Sequence, residues 1–169
     1  MSRPAAGEYA PHFDPYIQLV QEDNIPAIIE KYTPLIAAFY NSLPEDKANH
    51  AYSDGKWTVK EVIQHIIDAE RIFAYRLLRI ARNDKTPLPG FDENAFARNA
   101  RVTGRSLQSL KDELQAVRTS TGFLLRSLNE EELQHKGTAS GYPITANTFA
   151  FIIYGHLLHH QRILTERYL

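Results

Sequence analysis

The chain has 169 residues, 43% of them hydrophobic, with no cysteine and a formal net charge of −1 when the histidines are neutral. This length suits one domain with a core of useful size, and the balanced charge excludes an electrostatic attraction to nucleic acid or to an acidic membrane. The lack of cysteine excludes disulfides, thiolate ligands and cysteine nucleophiles, so a metal site would have to use imidazole, carboxylate and water.

The N-terminal residues are predicted to form a loose lead-in to the domain. Residues 1–12 are punctuated by proline and glycine and lack the basic start and apolar centre of a signal peptide. No later stretch is apolar for long enough to cross a bilayer. We therefore expect a cytoplasmic protein with one domain over residues 13–169 and no membrane contact.

The first helical segments follow this lead-in. A short helical turn is predicted around Asp14 to Val20, and a long helix is predicted from about Pro26 to Leu43. Isoleucine and aromatic residues recur in the long helix at helical spacing. Pro34 lies inside this helix, where it removes a hydrogen bond and is expected to produce a kink.

The second long helix has the clearest boundaries. Thr58 and Glu61 have the spacing of a capping box, and apolar residues follow at helical spacing to about Asn83. The next connection, residues 84–104, is rich in proline and glycine. About 20 extended residues can span some 60–70 Å, which is enough for the second and third helices to run parallel.

The remaining helices complete an all-α prediction. Leucines, with one valine and one threonine, step by three and four from Ser106 to Leu128, which predicts a third helix with a narrow packing seam. A glycine-containing linker over residues 129–143 leads to a fourth helix from about Thr145 to Tyr168. No strand pattern of comparable strength occurs, so a four-helix bundle is predicted.

Three histidines are candidates for a metal site. His156 and His160 are four residues apart on the apolar face of the fourth helix, so both imidazoles are predicted to point into the core. A buried polar group without a partner costs about 1–3 kcal/mol, and a metal ion is a partner that both rings can share. His65 flanks the core face of the second helix and can meet them if the two helices are neighbours. The alternative is a core pair that bonds to hydroxyl groups or water.

Three imidazole ligands with open positions are typical of a catalytic metal site, and they suit zinc, nickel, copper or iron. Asp68, one turn after His65, is a candidate to orient an imidazole or to act on bound water. Its alternative is a solvated helix carboxylate. His159 is predicted to point to the side of the pair, where it supports the ligands or lies at the surface.

The long connection is a candidate wall of the substrate pocket. Long loops inside compact domains are often functional, and Phe91 and Asp92 are the residues proposed to edge the pocket. The alternative is that this segment only caps the end of the bundle. Trp57, just before the second helix, is assigned a packing role.

At these residues the sequence resembles the DinB-like superfamily, including its YfiT-like branch. The resemblance runs from about residue 14 to the end of the chain. It is carried by five motifs in a characteristic order: residues 55–65 (GKWTVKEVIQH), 68–71 (DAER), 85–92 (KTPLPGFD), 155–160 (GHLLHH) and 166–169 (ERYL).

This resemblance implies an up-down-down-up bundle in which His65, His156 and His160 hold one divalent transition metal ion. Zinc and nickel are the preferred ions. Members of the family are often homodimers. Some transfer a low-molecular-weight thiol, such as bacillithiol or mycothiol, to an electrophile or isomerise its adduct. Others are described as metal-dependent hydrolases without an assigned substrate. DNA binding is not implied, which agrees with the balanced charge.

Three functions are left open. Two are enzymes with a small-molecule substrate, and the third has no substrate. The first is a metal-dependent transferase, in which the metal lowers the pKa of a thiol cosubstrate. The second is a hydrolase that uses metal-bound water. The third is a non-catalytic, stress-related protein whose metal only holds the bundle together. The transferase is ranked slightly ahead of the hydrolase.

Overall fold

The computed structural model describes residues 3–169 and is mainly helical. No helix in this range is both long and apolar enough to span a lipid bilayer. In chain order, the helices and strands are α1 (Asp14–Ile17), α2 (Ile25–Ser42), α3 (Val59–Ala81), α4 (Glu93–Asn99), α5 (Leu107–Ser127), α6 (Glu130–Gln134), β1 (Lys136–Ala139), β2 (Tyr142–Thr145) and α7 (Ala146–Arg167).

The four long helices α2, α3, α5 and α7 form the predicted bundle. Helices α2 and α3 lie diagonally opposite each other, because each packs against both α5 and α7. Side-chain contacts between neighbours give the relative directions of the helices. Where contacts advance along both helices together the pair is parallel, and where they run in opposite senses the pair is antiparallel.

Helices α3 and α5 are parallel. Near the start of both helices, Nζ of Lys60 donates to the carbonyl oxygen of Arg105 at 3.1 Å. Further along both, the Glu70 carboxylate pairs with the Arg118 guanidinium at 2.9 Å. Two carbonyls at the end of α2 accept from Lys111, near the start of α5, so α2 and α5 are antiparallel.

Helix α7 completes the topology. It runs antiparallel to α3, since the earlier Phe149 contacts the later Phe73 and the later His160 contacts the earlier His65. It runs parallel to α2, where hydrogen bonds join Thr33 to Tyr154 at 2.9 Å and Tyr40 to Leu157 at 2.7 Å. The order is therefore up-down-down-up, as predicted.

Local sequence signals explain where the long helices begin. Thr58 and Glu61 form a complete capping box at the start of α3. A side-chain oxygen also accepts from a backbone amide at the N-caps of the other three long helices, which are Asn24, Ser106 and Thr145. Helix α2 continues through Pro34 as one element.

The second linker differs from its prediction, because it contains a β-hairpin. Strands β1 and β2 pair antiparallel, with Ala139 opposite Tyr142. Ser140 and Gly141 make the turn, and both have positive φ, at 53° and 82°. Two positive φ angles are typical of the tight turns that join paired strands. Leu88 of the long connection adds a single parallel bridge to Ala139, so the hairpin anchors that connection.

The N-terminal segment crosses the bundle at a glycine of α7. A Cβ atom at Gly155 would lie 2.1 Å from the carbonyl oxygen of Tyr16, which is too close for two atoms that are not bonded. Glycine inside a helix costs about 1 kcal/mol relative to alanine. The close approach of the two backbones explains why glycine occupies position 155, directly before His156.

Gly155→Ala is therefore expected to displace α1 from α7. The added methyl group meets backbone atoms that cannot rotate away, and overpacking of this kind costs about 1–3 kcal/mol in the free energy of unfolding. We expect a lower melting temperature and faster amide hydrogen exchange over residues 9–20. Gly122→Ala in α5 is the control, since its Cβ atom would meet only the flexible end of Arg126. Equal melting temperatures for the two variants would contradict the close approach.

Candidate metal centre

The three predicted histidines lie together in the interior of the bundle. His65 comes from α3, and His156 and His160 come from consecutive turns of the antiparallel α7. His156 and His160 are buried, at 4% and 8% exposure, whereas His65 is partly exposed. The four-residue spacing therefore places His156 and His160 on one face of α7, where both face the ring of His65.

The ring nitrogens converge on one small volume. Nε2 of His156 lies 3.1 Å from Nε2 of His65 and 3.0 Å from Nε2 of His160. One nitrogen from each ring lies within 4.8 Å of the other two. These three residues are the group of metal-compatible side chains that residues 3–169 bring together.

Burial keeps the three imidazoles neutral. It lowers the pKa of His65 from 6.5 to about 4. Burial, with the neighbouring imidazoles adding to it, also holds the pKa values of His156 and His160 well below 6.5. At neutral pH each ring therefore has one nitrogen lone pair free, which is the form that binds a metal ion.

The donor set fits a divalent transition metal. Three lone pairs that face one another repel, and a proton between two rings satisfies only one pair at a time. A cation attracts all three lone pairs at once. Imidazole ligands suit zinc, nickel, copper and iron, and three of them leave further coordination positions open.

A cavity of about 290 Å³ lies beside the three histidines. Its walls near the rings are aromatic. The Trp57 ring lies 4.9 Å from the ring of His65, whereas Phe73 and Tyr16 lie edge-on to His156 at 5.6 and 5.4 Å between ring centres. This wall excludes bulk water from the histidines on one side and leaves the cavity open to a small molecule on the other.

The long connection supplies one side of this cavity. Phe91 lines the cavity, but Asp92 does not. The Asp92 carboxylate instead accepts from the backbone amides of Asn94 and Ala95 and caps α4. The next residue, Glu93, is the acidic side chain that reaches the cavity wall.

Asp68 is a second predicted site residue that does not line the cavity with the histidines. It is absent from the cavity wall, and its carboxylate accepts from the Gln64 amide at 2.9 Å. Its charged neighbours are Arg71 of its own helix and Arg105 and Glu113 on the side of α5. Half-burial raises its pKa, but it faces α5, whereas the histidines face α7.

Several cavity residues were missed or assigned another role by sequence reasoning. Trp57 is predicted only to pack, and His12 lies in the predicted lead-in, yet both line the cavity with Tyr16, Arg76 and Glu93. For Arg76 a signal was available. It lies eleven positions after His65, which is about three helical turns, so it shares the face of α3 that carries His65.

A bundle that brings three neutral imidazoles together beside a cavity defines the class of helical proteins with a candidate metal centre between facing helices. The chain belongs to the DinB superfamily, which it matches over residues 30–164.

Two relatives carry a name that mentions a metal. A protein of Oceanobacillus iheyensis described as a “Putative metal-dependent hydrolase” is 31% identical over 70 residues, which cover 41% of this chain and 40% of that relative. A protein of Geobacillus thermodenitrificans with the same description is 25% identical over 133 residues, 76% of this chain and 75% of the relative. The first match thus spans less than half the length of that relative.

Two solved structures share the fold. YfiT from Bacillus subtilis, described as a probable metal-dependent hydrolase with an unusual four-helix bundle topology, matches with a TM-score of 0.67 and 22% identity over 96% of this chain and 89% of that one. The mycothiol-dependent maleylpyruvate isomerase matches with a TM-score of 0.66 and 13% identity over 89% of this chain and 59% of that one. At these identities the likeness concerns the fold alone.

Proposed function

We propose that this chain is a metal-dependent enzyme in which His65, His156 and His160 hold one divalent transition metal ion, zinc or nickel. The observation that carries the proposal is the convergence of three Nε2 atoms beside a cavity that a small molecule can enter. The superfamily and the names of the relatives support metal dependence.

The reaction we propose is transfer of a low-molecular-weight thiol to a small electrophile. The bound metal would lower the pKa of the thiol and so supply a thiolate nucleophile. The chain has no cysteine, so the thiol arrives as a cosubstrate. Asp68 lies on the α5 side, away from the histidines, so it does not serve as a base at the proposed centre. The aromatic wall of Trp57, Phe73 and Tyr16 would keep water from competing for the electrophile.

The test is a panel of thiols on zinc-loaded and nickel-loaded protein. Cysteine, glutathione, bacillithiol and mycothiol are each mixed with a chromogenic electrophile, and adduct formation is followed by absorbance. We expect metal-dependent adduct from at least one thiol and none with His160→Ala. His50→Ala is the matched control, since His50 lies against Tyr168 and outside the centre. Failure of every thiol to react above the metal-free rate would count against a transferase.

Hydrolysis is the second candidate, and Glu93 favours it. This carboxylate lines the cavity, and its negative charge acts to raise the pKa of His65. The metal would supply an activated water, and Glu93 would accept its proton. Ester turnover without thiol that falls at least about tenfold in Glu93→Gln is the result that would favour this reaction.

A metal that only holds the bundle together is the weakest candidate, because a cavity adjoins the histidines.

We also propose a homodimer in the cytoplasm. Large apolar side chains, Leu35 on α2 and Phe123 on α5, are 54% and 68% exposed, and their burial between two copies would support this assembly. Light scattering of the purified protein measures it.

A further inference from the structure

Arg76 is a buried cation on the cavity wall with no ion-pair partner. Its side chain lies on α3 at 3% exposure, and no carboxylate in the described part of the chain forms a salt bridge with it. Nη2 donates to the carbonyl oxygen of Pro89, and the guanidinium lies 5.9 Å from the Phe91 ring centre. An arginine has five N–H donors, and the contact with Pro89 uses one of them.

The other buried cations have a counter-charge or two acceptors each, which sets Arg76 apart. Arg118 pairs with Glu70. Lys60 donates to two carbonyl oxygens beside the start of α5, and Lys111 to two at the end of α2. None of these three lines the cavity beside the histidines. A buried charge without a counter-charge is costly, and Arg76 combines such a charge with a place on the cavity wall.

Arg76 and the histidines lie on the same wall. His65, Ala69, Phe73 and Arg76 share one face of α3 and all line the cavity. The Cα atoms of His65 and Arg76 are about 16 Å apart along the helix, and helical side chains lean toward the N-terminus, which brings the guanidinium toward His65. A ligand that touches both ends of the cavity would contact the histidine centre and Arg76 together.

We infer that Arg76 binds a carboxylate of the substrate or cosubstrate while the other end of that molecule reaches the histidine centre. This inference rests on the proposed function and adds the substrate class, a small organic acid. One carboxylate matches one guanidinium in charge and in its two-pronged geometry. A phosphate dianion would leave a second negative charge unpaired in a buried position.

Mercapto acids of increasing length test the inference on zinc-loaded protein. Mercaptoacetate, 3-mercaptopropionate and 6-mercaptohexanoate are each compared with the uncharged alcohol of the same length. Trp57 is the single tryptophan of the chain and lines this cavity, so its fluorescence reports binding. For at least one length we expect the acid to bind about tenfold to a hundredfold more tightly than the alcohol, as for a hydrogen bond to a charged group.

Arg76→Gln should remove this preference, so that acid and alcohol bind within about twofold of each other. Arg76→Lys should retain part of it. The matched control is Arg71→Gln on the same helix, whose partner is Glu113, and which should keep the full preference. Equal binding of acid and alcohol by the wild type at every length, or an unchanged preference in Arg76→Gln, would overturn the inference.

A failure of the carboxylate site at Arg76 can be distinguished from a failure of metal binding. Zinc binding by Arg76→Gln, measured by competition with a chromophoric chelator, should equal that of the wild type and also reports that the variant folds. Hexanoate and 1-hexanol, which lack a thiol, repeat the comparison on metal-free protein. If zinc does not bind at all, the metal proposal fails. A preference for hexanoate that depends on Arg76 would still support the carboxylate site, and its absence would refute it.

Discussion

Replacing His160 by alanine is expected to lower the affinity for zinc by at least about a hundredfold, because it removes one of three ligands, and even loss of an outer partner costs 10- to 100-fold. His160 is buried, and its Nε2 lies 3.0 Å from that of His156. Competition with a chromophoric chelator measures the affinity and the number of ions bound. One ion per chain is expected for the wild type.

The same substitution should abolish stabilisation by zinc. At a free zinc concentration a thousand times the dissociation constant, binding adds about 4 kcal/mol to the free energy of unfolding. The melting temperature of the wild type should therefore rise with zinc, and that of His160→Ala should not. The control, His50→Ala, should respond like the wild type. A full zinc response in His160→Ala would show that the metal binds elsewhere.

The second large effect is expected at the buried ion pair between α3 and α5. Glu70 and Arg118 are 2% and 7% exposed, with 2.9 Å between their charged atoms. Arg118→Met leaves the Glu70 carboxylate buried without a counter-charge, which costs about 3–5 kcal/mol in the free energy of unfolding. Urea denaturation measures the loss. Arg162→Gln breaks an exposed pair with Glu166 and should have almost no effect.

The effect of Arg118→Met should depend on pH. Burial already raises the pKa of Glu70 above 4.5, while Arg118 acts to lower it, so removing Arg118 raises this pKa further. A carboxyl group whose pKa is higher in the folded state stabilises that state below 4.5, and this contribution is lost as pH rises through the folded pKa. The variant should lose less stability at pH 5 than at pH 8. The double variant with Glu70→Leu and Arg118→Met should recover most of the lost stability. Equal losses of stability at pH 5 and pH 8 in Arg118→Met would contradict a buried carboxylate.

The bundle and its three histidines could be predicted from the sequence because their signals are local. The Thr58 and Glu61 capping box fixes where α3 begins, and the four-residue spacing of His156 and His160 fixes their common face. The length of the connection between α3 and α5 allowed a parallel arrangement, and the superfamily resemblance added the topology.

The role of Asp68 could not be predicted because α3 has two neighbours. Asp68 is three positions after His65, or about 60° around the helix. That small angle separates the side that meets α7 from the side that meets α5. A helical wheel gives the angle between two side chains but not the positions of the neighbouring helices.

The hairpin and the aromatic wall were missed for different reasons. Strands β1 and β2 have four residues each, too few for a clear alternation, and Ser140 and Gly141 were the turn signal that was available. Tyr16 and Trp57 approach the histidines from segments outside α3 and α7. The contact of Tyr16 depends on how α1 crosses Gly155, which no periodicity in the sequence describes.

Because α3 and α5 run in the same direction, the chain must travel back along the whole bundle between Ala81 and Leu107. That return path passes the histidines and contributes Phe91 and Glu93 to the cavity. Part of the cavity wall therefore comes from a segment that is separate in the chain from the helices that carry the three histidines. Exchanging residues 85–100 between superfamily members is a way to alter which compound is accepted while the imidazole cluster stays intact.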